Sequence, residues 1–284
     1  MKKVLLGAFL AFSLLTLSST TYAAGAKIQL KVDGVAITSE VKPESKNNRI
    51  MVPLRLISEN LGAIVEWSKS EVILVKGDMK VVLKLNSAVA EKNGEKMQLD
   101  VKPYLKNNSV FVPLRFITEA FDCNVSYSNN VVTVDTEPLV IDGIRVQALQ
   151  QEYHMIMGGI ISQFSGNTYN EAVYNIFMKN KGDKVEAPAS YSWNYNLDTP
   201  GAYYKNAQYD FLDQKGDSIV RFDVYTLTQG VPSELLSGYP KTLVHDALQD
   251  EWYLFSDAAL KSINQLMDNA VKNGFQKIIS NTVA

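Results

Sequence analysis

Hydrophobic positions recur with two different periods along this chain, and the switch between them marks its elements. Ile28-Gln-Leu-Lys-Val-Asp-Gly-Val35 alternates apolar with polar and predicts a strand entering an Asp33-Gly34 turn. The alternation returns at Val81-Val-Leu-Lys-Leu-Asn86, ahead of an Asn93-Gly94 hairpin turn. Between these stretches, Ile50 to Val52 reads as a short strand and Pro53 as the first residue of a helix, where a missing N–H costs nothing. Leu54, Ile57, Ser58 and Leu61 follow at helical spacing, and Gly62 supplies the left-handed residue that ends such a helix. Val65 and Trp67, a turn over Ser68 to Glu71, and Val72 to Val75 then form a hairpin.

This unit is written twice. A constant offset of 60 pairs Val41-Lys-Pro43 with Val101-Lys-Pro103, Asn47-Asn48 with Asn107-Asn108, Val52-Pro-Leu-Arg55 with Val112-Pro-Leu-Arg115, and Val65 with Val125. The offset changes by one only at the turn after Ser68 and Ser128. Self-similarity of this kind is a duplicated strand, helix and hairpin, over residues 41–75 and 101–134. Arg55 and Glu59, like Arg115 and Glu119, lie four apart on a helix flank and read as structural ion pairs that recur with their scaffold. Pro113 repeats the role of Pro53, while Asp122 takes the place of Gly62, a tolerated but poorer helix end.

Beyond a short Glu137-Pro138 linker, Leu139-Val-Ile-Asp-Gly-Ile144 repeats the strand and Asp-Gly turn of residues 32–34. Leu149, Tyr153, Ile156, Ile160 and Phe164 form a helical stripe, and Thr168-x-x-Glu171 is a capping box opening a second helix through Val173, Ile176 and Phe177. Alternation resumes at Tyr209 and Phe211, turns at residues 213–216, and continues through Val220, Phe222 and Val224, with Arg221, Asp223 and Tyr225 on the other face. Leu243 to Asp246 and Trp252 to Phe255 predict another hairpin. Leu260, Ile263, Met267 and Val271 predict a closing helix that stops at Gly274. The expected class is α+β in two domains, a duplicated unit over 24–137 and an antiparallel sheet with helices over 138–284.

Composition agrees with that division, because 284 residues at 46% hydrophobic content suffice for two cores. Lys plus Arg number 28 against 30 Asp plus Glu, with no long basic run, so nucleic acid is not an expected partner. Met1-Lys2-Lys3, the apolar run Val4 to Leu17, and small residues at Thr21 and Ala23 predict a signal peptide over residues 1–23. The run is shorter than the ~20 residues of a spanning helix. Export without a stable membrane anchor, to a secreted or wall-associated location, is the expectation. Cys123 is the only cysteine, so no internal disulfide forms, and it stands where the first copy has Ala63, which predicts burial.

Residues of about 26–136, with V-P-L-R-x-I-x-E followed by V-x-W or V-x-Y, resemble the copper amine oxidase N-terminal, or stalk, domain found on exported proteins of Gram-positive bacteria. The resemblance implies a non-catalytic module joined to unrelated extracellular domains, holding them at the cell wall or another surface. It implies nothing about copper in this domain, and no cofactor is expected. The oxidase itself needs three copper-binding His and a Tyr in an Asn-Tyr-Asp/Glu setting; this chain has two His, His154 and His245, and only Asn194-Tyr195-Asn196.

Other chemistry is sparse. His245-Asp246 are strand neighbours and point to opposite faces, and Asp210, Asp213 and Asp217 lack calcium-loop spacing. No G-x-S-x-G, H-E-x-x-H or Gly-rich phosphate loop occurs. These absences point away from an enzyme without closing the question, because paired carboxylates for glycoside hydrolysis leave no short motif. One stretch is unusual: Tyr191, Trp193, Tyr195, Tyr203, Tyr204 and Tyr209 crowd a polar, Asn-rich segment. They either pack on the sheet or offer flat faces to sugar rings or partner side chains. The expectation is therefore an exported non-enzymatic envelope protein, its partners a wall polymer, glycan or surface protein. The alternative is a small polysaccharide hydrolase using Asp198, Asp210 and Asp223, and a third reading is an assembly or regulatory protein that binds through its Tyr face.

Overall fold

The computed structural model describes residues 28–68, 70–155 and 157–283. The predicted signal segment, residues 1–23, lies outside them.

Strands β1 (Gln29–Val32) and β2 (Val35–Ile37) form the first hairpin. The first copy of the unit is β3 (Glu44–Lys46), β4 (Arg49–Pro53), α1 (Leu54–Asn60), β5 (Ile64–Ser68) and β6 (Glu71–Lys76). A meander of β7 (Met79–Lys84), β8 (Val89–Lys92) and β9 (Glu95–Gln98) connects it to the second. That copy is β10 (Tyr104–Lys106), β11 (Ser109–Pro113), α2 (Leu114–Ala120), β12 (Asn124–Ser128) and β13 (Val131–Asp135).

The copies meet at β4 and β11, which pair antiparallel with Val52 opposite Val112. These two residues are equivalent in the repeat, so a local twofold axis passes between them and gives the symmetric sheet β10-β11-β4-β3. Symmetry ends at the outer hairpins. Strands β5 and β6 continue into β7, β8 and β9, whereas β13 takes β1 as a parallel neighbour. Pro53 (φ −61°, ψ 119°) and Pro113 (φ −59°, ψ 129°) remain extended and close their strands, so each helix begins one residue later than the sequence predicts. Proline's fixed φ suits either state; ψ decides, and here it stays with the strand.

The C-terminal region begins with a small hairpin, β14 (Val140–Ile141) and β15 (Ile144–Arg145), and continues with β16 (Ala148–Met155) and β17 (Gly158–Phe164). Next come α3 (Asn167–Asn180), β18 (Lys184–Val185), β19 (Ser190–Ser192), and the long pair β20 (Ala202–Leu212) and β21 (Ser218–Leu227). The chain closes with β22 (Thr242–Asp246), β23 (Glu251–Leu254), α4 (Asp257–Lys272) and β24 (Gln276–Asn281). The main sheet runs β18-β23-β22-β21-β20-β16-β17-β24, with β19 alongside β20. The fold class is α+β, as expected.

The helix predicted from Leu149, Tyr153, Ile156, Ile160 and Phe164 is instead the β16–β17 hairpin. Leu149 faces Phe164 across the two strands, and Tyr153 faces Ile160. A spacing of four keeps two residues on one face of a strand as well as of a helix, so two strands folded about a turn imitate a helical stripe. Gly158-Gly159 in its middle was the arbitrating signal.

Helix α3 exists, but its predicted capping box does not cap it. Thr168 lies inside the helix with Oγ1 buried and without a hydrogen-bond partner. The first helical N–H, from Asn167, is donated at 3.0 Å to Asp33 Oδ2 in the β1–β2 turn. Asp33 also accepts from Thr136 N at 2.8 Å, so one carboxylate fastens the two regions together. Gly62 is needed at the same seam: its φ is +79°, and a Cβ there would meet Thr168 Cγ2 at 2.0 Å. Buried apolar residues from both regions form one continuous cluster, which includes Ile57 of α1 and Leu61 just past its end with Val173 and Phe177 of α3.

Candidate functional site

Side chains on β20 to β23 divide between two faces. Tyr209, Phe211, Phe222 and Val224 join α3 and α4 in the core. The other face carries Arg221, Asp223 and Tyr225 of β21, with His245 opposite Asp223 and Trp252 opposite His245. Strict alternation would place Lys205 and Gln208 on opposite faces of β20. A bulge between Lys205 and Ala207 brings them together, and Lys205 Nζ donates to Gln208 Oε1 at 2.9 Å.

Asp223 is the hub of this face. It accepts from Arg221 Nε and Nη2, both at 3.0 Å, and pairs with Lys205 Nζ at 2.9 Å. His245 Nδ1 is 3.9 Å away, so its ring acts through charge rather than a formed hydrogen bond. Burial pushes the Asp223 carboxyl up, but these cationic neighbours outweigh it and hold the pKa at about 2. Burial works against the charge on Lys205, whose pKa is lowered. For His245 burial also lowers the pKa, but Asp223 and Asp250 prevail and raise it.

The aromatic stretch is divided by the same sheet. Tyr209 is fully buried on the core side; its hydroxyl accepts from Gln151 Nε2 at 3.1 Å and its ring meets Phe177 edge-on. Tyr191, Trp193 and Tyr203 gather on the charged face, whereas Tyr204, between Tyr203 and Lys205 on β20, points to the other side with Tyr195 against it. Tyr203 is buried on the charged face and donates to Pro240 O at 2.7 Å. Tyr191 sets its ring against Tyr225 and Trp252 and remains 47% exposed. Trp193 stacks on His154 at 4.2 Å, with Lys205 Nζ 4.6 Å from its ring centre. Tyr195, 58% exposed, leans on Tyr204, which donates to His154 O. Beside this layer, Val185, Pro188, Tyr203, Tyr239, Pro240 and Leu243 line a largely apolar cleft of about 260 Å³.

The remaining candidates are apart from one another. Asp198 is exposed in the loop after Tyr195, while Asp210 is buried and accepts from Gln208 Nε2 at 2.6 Å and Ser218 Oγ at 2.9 Å. Asp246 faces away from His245 and pairs with Lys181 at 2.7 Å. Asp213 Oδ1 accepts from the N–H groups of Lys215 and Asp217, which is turn chemistry. Among the described residues, no three His, Cys, Asp or Glu are grouped to hold a metal, and no helix is long and apolar enough to cross a membrane. Cys123 is half-buried, and burial pushes its thiol up to about 11.

In the duplicated unit, Arg55 Nε lies 3.7 Å from Glu59 Oε1, with both side chains exposed. Arg115 and Glu119 are also exposed, but they are not in ion-pair contact. Pro53 and Pro113 are buried at the strand-to-helix junctions.

The sequence did not single out Lys205 and Arg221 as part of a site. Arg221 shares its alternation with Asp223 and could have been found; Lys205 is on this face only because of the bulge. Residues 31–136 match the copper amine oxidase N-terminal domain family, which bears out the resemblance carried by the V-P-L-R repeat. No curated protein matches the chain.

Proposed function

We propose that this chain is a non-enzymatic binding protein of the cell envelope. Its duplicated region holds a wall polymer or surface protein, and its C-terminal region binds a glycan or partner on the aromatic layer. The observation that carries this reading is the state of Asp223. Every strong donor around it is directed inward, so the charged cluster anchors the layer of Trp193 and its neighbours rather than waiting for a substrate. Tyr191 and the apolar cleft lined by Tyr203 face outward on this side, and Tyr195 is exposed at the sheet's edge, with the amphipathic surfaces that sugar rings and partner side chains favour.

A glycosidase requires one carboxyl whose pKa is raised so that it can deliver a proton. Asp223 is shifted the other way and is enclosed by its donors, which leaves the hydrolase reading with Asp198 and Asp210. The test mixes the mature protein with isolated cell walls at moderate salt. Co-sedimentation that weakens on Tyr191→Ala/Tyr195→Ala is expected; release of soluble sugar, abolished by Asp198→Asn or Asp210→Asn, would turn the assignment to a hydrolase.

A further inference from the structure

Two clefts in the duplicated region are related by the local twofold axis. The first, about 400 Å³, is lined by Pro53, Leu54, Arg55, Glu59 and Val65 of one copy and by Asn108, Ser109 and Val110 of the other. The second, about 410 Å³, is lined by Pro113, Leu114, Arg115, Glu119 and Val125, and by Asn48, Arg49 and Ile50. These eight positions are repeat equivalents; Ser39, Val41, Leu56 and Trp67 line only the first cleft and Thr118 only the second. Neither copy forms a cleft alone, because the wall is the Asn-Asn turn of its partner copy, held left-handed at φ between 48° and 57°.

Comparison of the two helices shows what has been retained. Of the buried or partly buried positions, Leu54 and Ile57 recur as Leu114 and Ile117, while Leu56 against Phe116, Ser58 against Thr118, and Asn60 against Ala120 have drifted. The exposed positions of each helix are identical, Arg55 with Arg115 and Glu59 with Glu119. Packing accounts for the retained leucine and isoleucine, but it leaves the surface free and does not account for the retained arginine and glutamate. An ion pair does not explain it, since the second copy makes no such contact.

We infer that the twin clefts are two related binding sites for a repetitive glycan, with Arg55 and Arg115 as donors and Glu59 and Glu119 as acceptors for sugar hydroxyls. The inference rests on the envelope-attachment reading above and supplies its ligand class. Guanidinium, carboxylate and Asn amide surround an apolar floor of Pro, Leu and Val, as suits a ring with polar edges and apolar faces. Trp67, 48% exposed, lines the first cleft and offers a stacking surface there. The equivalent Tyr127 is not part of the second cleft, so the first site is the tighter. A ligand that repeats one unit is the kind that two like sites on one chain can hold together.

The experiment titrates the full chain with peptide-free glycan strands from peptidoglycan, graded by length, in a calorimeter. Short fragments bind at two sites per chain. Arg55→Glu/Glu59→Arg removes one site and Arg115→Glu/Glu119→Arg the other, while circular dichroism and thermal unfolding remain unchanged because each swap keeps opposite charges four apart. Long strands lose ~10-fold or more in affinity when either cleft is lost. A chain that still sediments with walls but binds strands at one site, or binds them unaffected by both swaps, refutes the twin sites and leaves wall attachment standing. Sedimentation with walls but no binding of peptide-free strands refutes the glycan and points to a surface protein. Absence of sedimentation by the native chain removes attachment and twin sites together.

Discussion

The two regions of this molecule place their charged residues in opposite ways. The duplicated region keeps Arg55, Glu59, Arg115 and Glu119 in solvent at the rims of two clefts. The C-terminal region buries Lys205 and Asp223 to 6% and 4% exposure and neutralises them against one another. Exposed charges can be exchanged at little cost to folding, so their recurrence in both copies is the ground on which we propose a ligand there. A buried pair is maintained by the fold itself, so the enclosed Asp223 counts against a catalytic role and names no ligand. This contrast separates the charged groups open to solvent from those that hold the protein together.

The largest expected effect is at the buried hub. Asp223→Ala leaves Lys205 and Arg221 without their shared acceptor, and loss of one partner from a buried ion pair costs about 3–5 kcal/mol. Urea unfolding monitored by tryptophan fluorescence measures it; a loss below about 1 kcal/mol would mean that water reaches the cluster freely. Asp223→Asn should cost less than Ala, because an amide oxygen still accepts from Arg221.

Next comes the seam. Asp33→Ala removes the carboxylate that caps α3 and binds Thr136, which costs about 2 kcal/mol. Gly62→Ala introduces a Cβ into Thr168 at a left-handed φ, whereas Asp122→Gly at the equivalent site relaxes a φ of +54°. The first should lower the melting temperature and the second leave it unchanged or raise it. Equal effects at the two sites would show that contact across the seam plays no part.

Much of the duplicated region was legible because its signals are local: turn residues, alternating strands, and a motif whose second copy repeats the first. The offset made Val52 and Val112 equivalent, but their pairing across a local twofold axis comes only from the structure. The C-terminal region was harder to read for three physical reasons. The β16–β17 hairpin has apolar residues four apart, a spacing that both periods accept. The cap of α3 arrives from Asp33, far away in sequence, and no window around Thr168 contains it. The Lys205 bulge shifts alternation by one residue, so that position joins the charged face without any local mark. The aromatic stretch was visible as composition, but only the pleat of β20 separates Tyr209 in the core from Tyr203 and Lys205 on the other side.

The pH dependence of stability is a smaller effect. Asp223 has a folded pKa lowered to about 2, so its contribution is present above the usual carboxylate range near 4 and is lost as pH falls from there through 2. His245 has a raised folded pKa, so its contribution is present below 6.5 and is lost as pH rises through the folded value. The native protein should therefore melt at its highest temperature between these limbs. His245→Gln should flatten the upper limb and leave the acid limb in place. An upper limb unchanged by that substitution would assign it to another group.

The smallest effect on folding is expected where the largest effect on binding is. Arg55→Ala breaks one exposed pair on the flank of α1, and such pairs contribute about 0.3–0.5 kcal/mol. Arg115→Ala breaks no ion pair and should change stability by less still, since surface changes of this kind fall within about 0.5 kcal/mol. Chemical denaturation of both variants beside the native chain decides the point. If Arg115→Ala proves as damaging as Asp33→Ala, the retained arginines brace the fold and their identity in both copies needs no ligand. If both variants unfold with the native protein yet release it from cell walls, the argument from exposed, unchanging charge holds where packing cannot supply a reason.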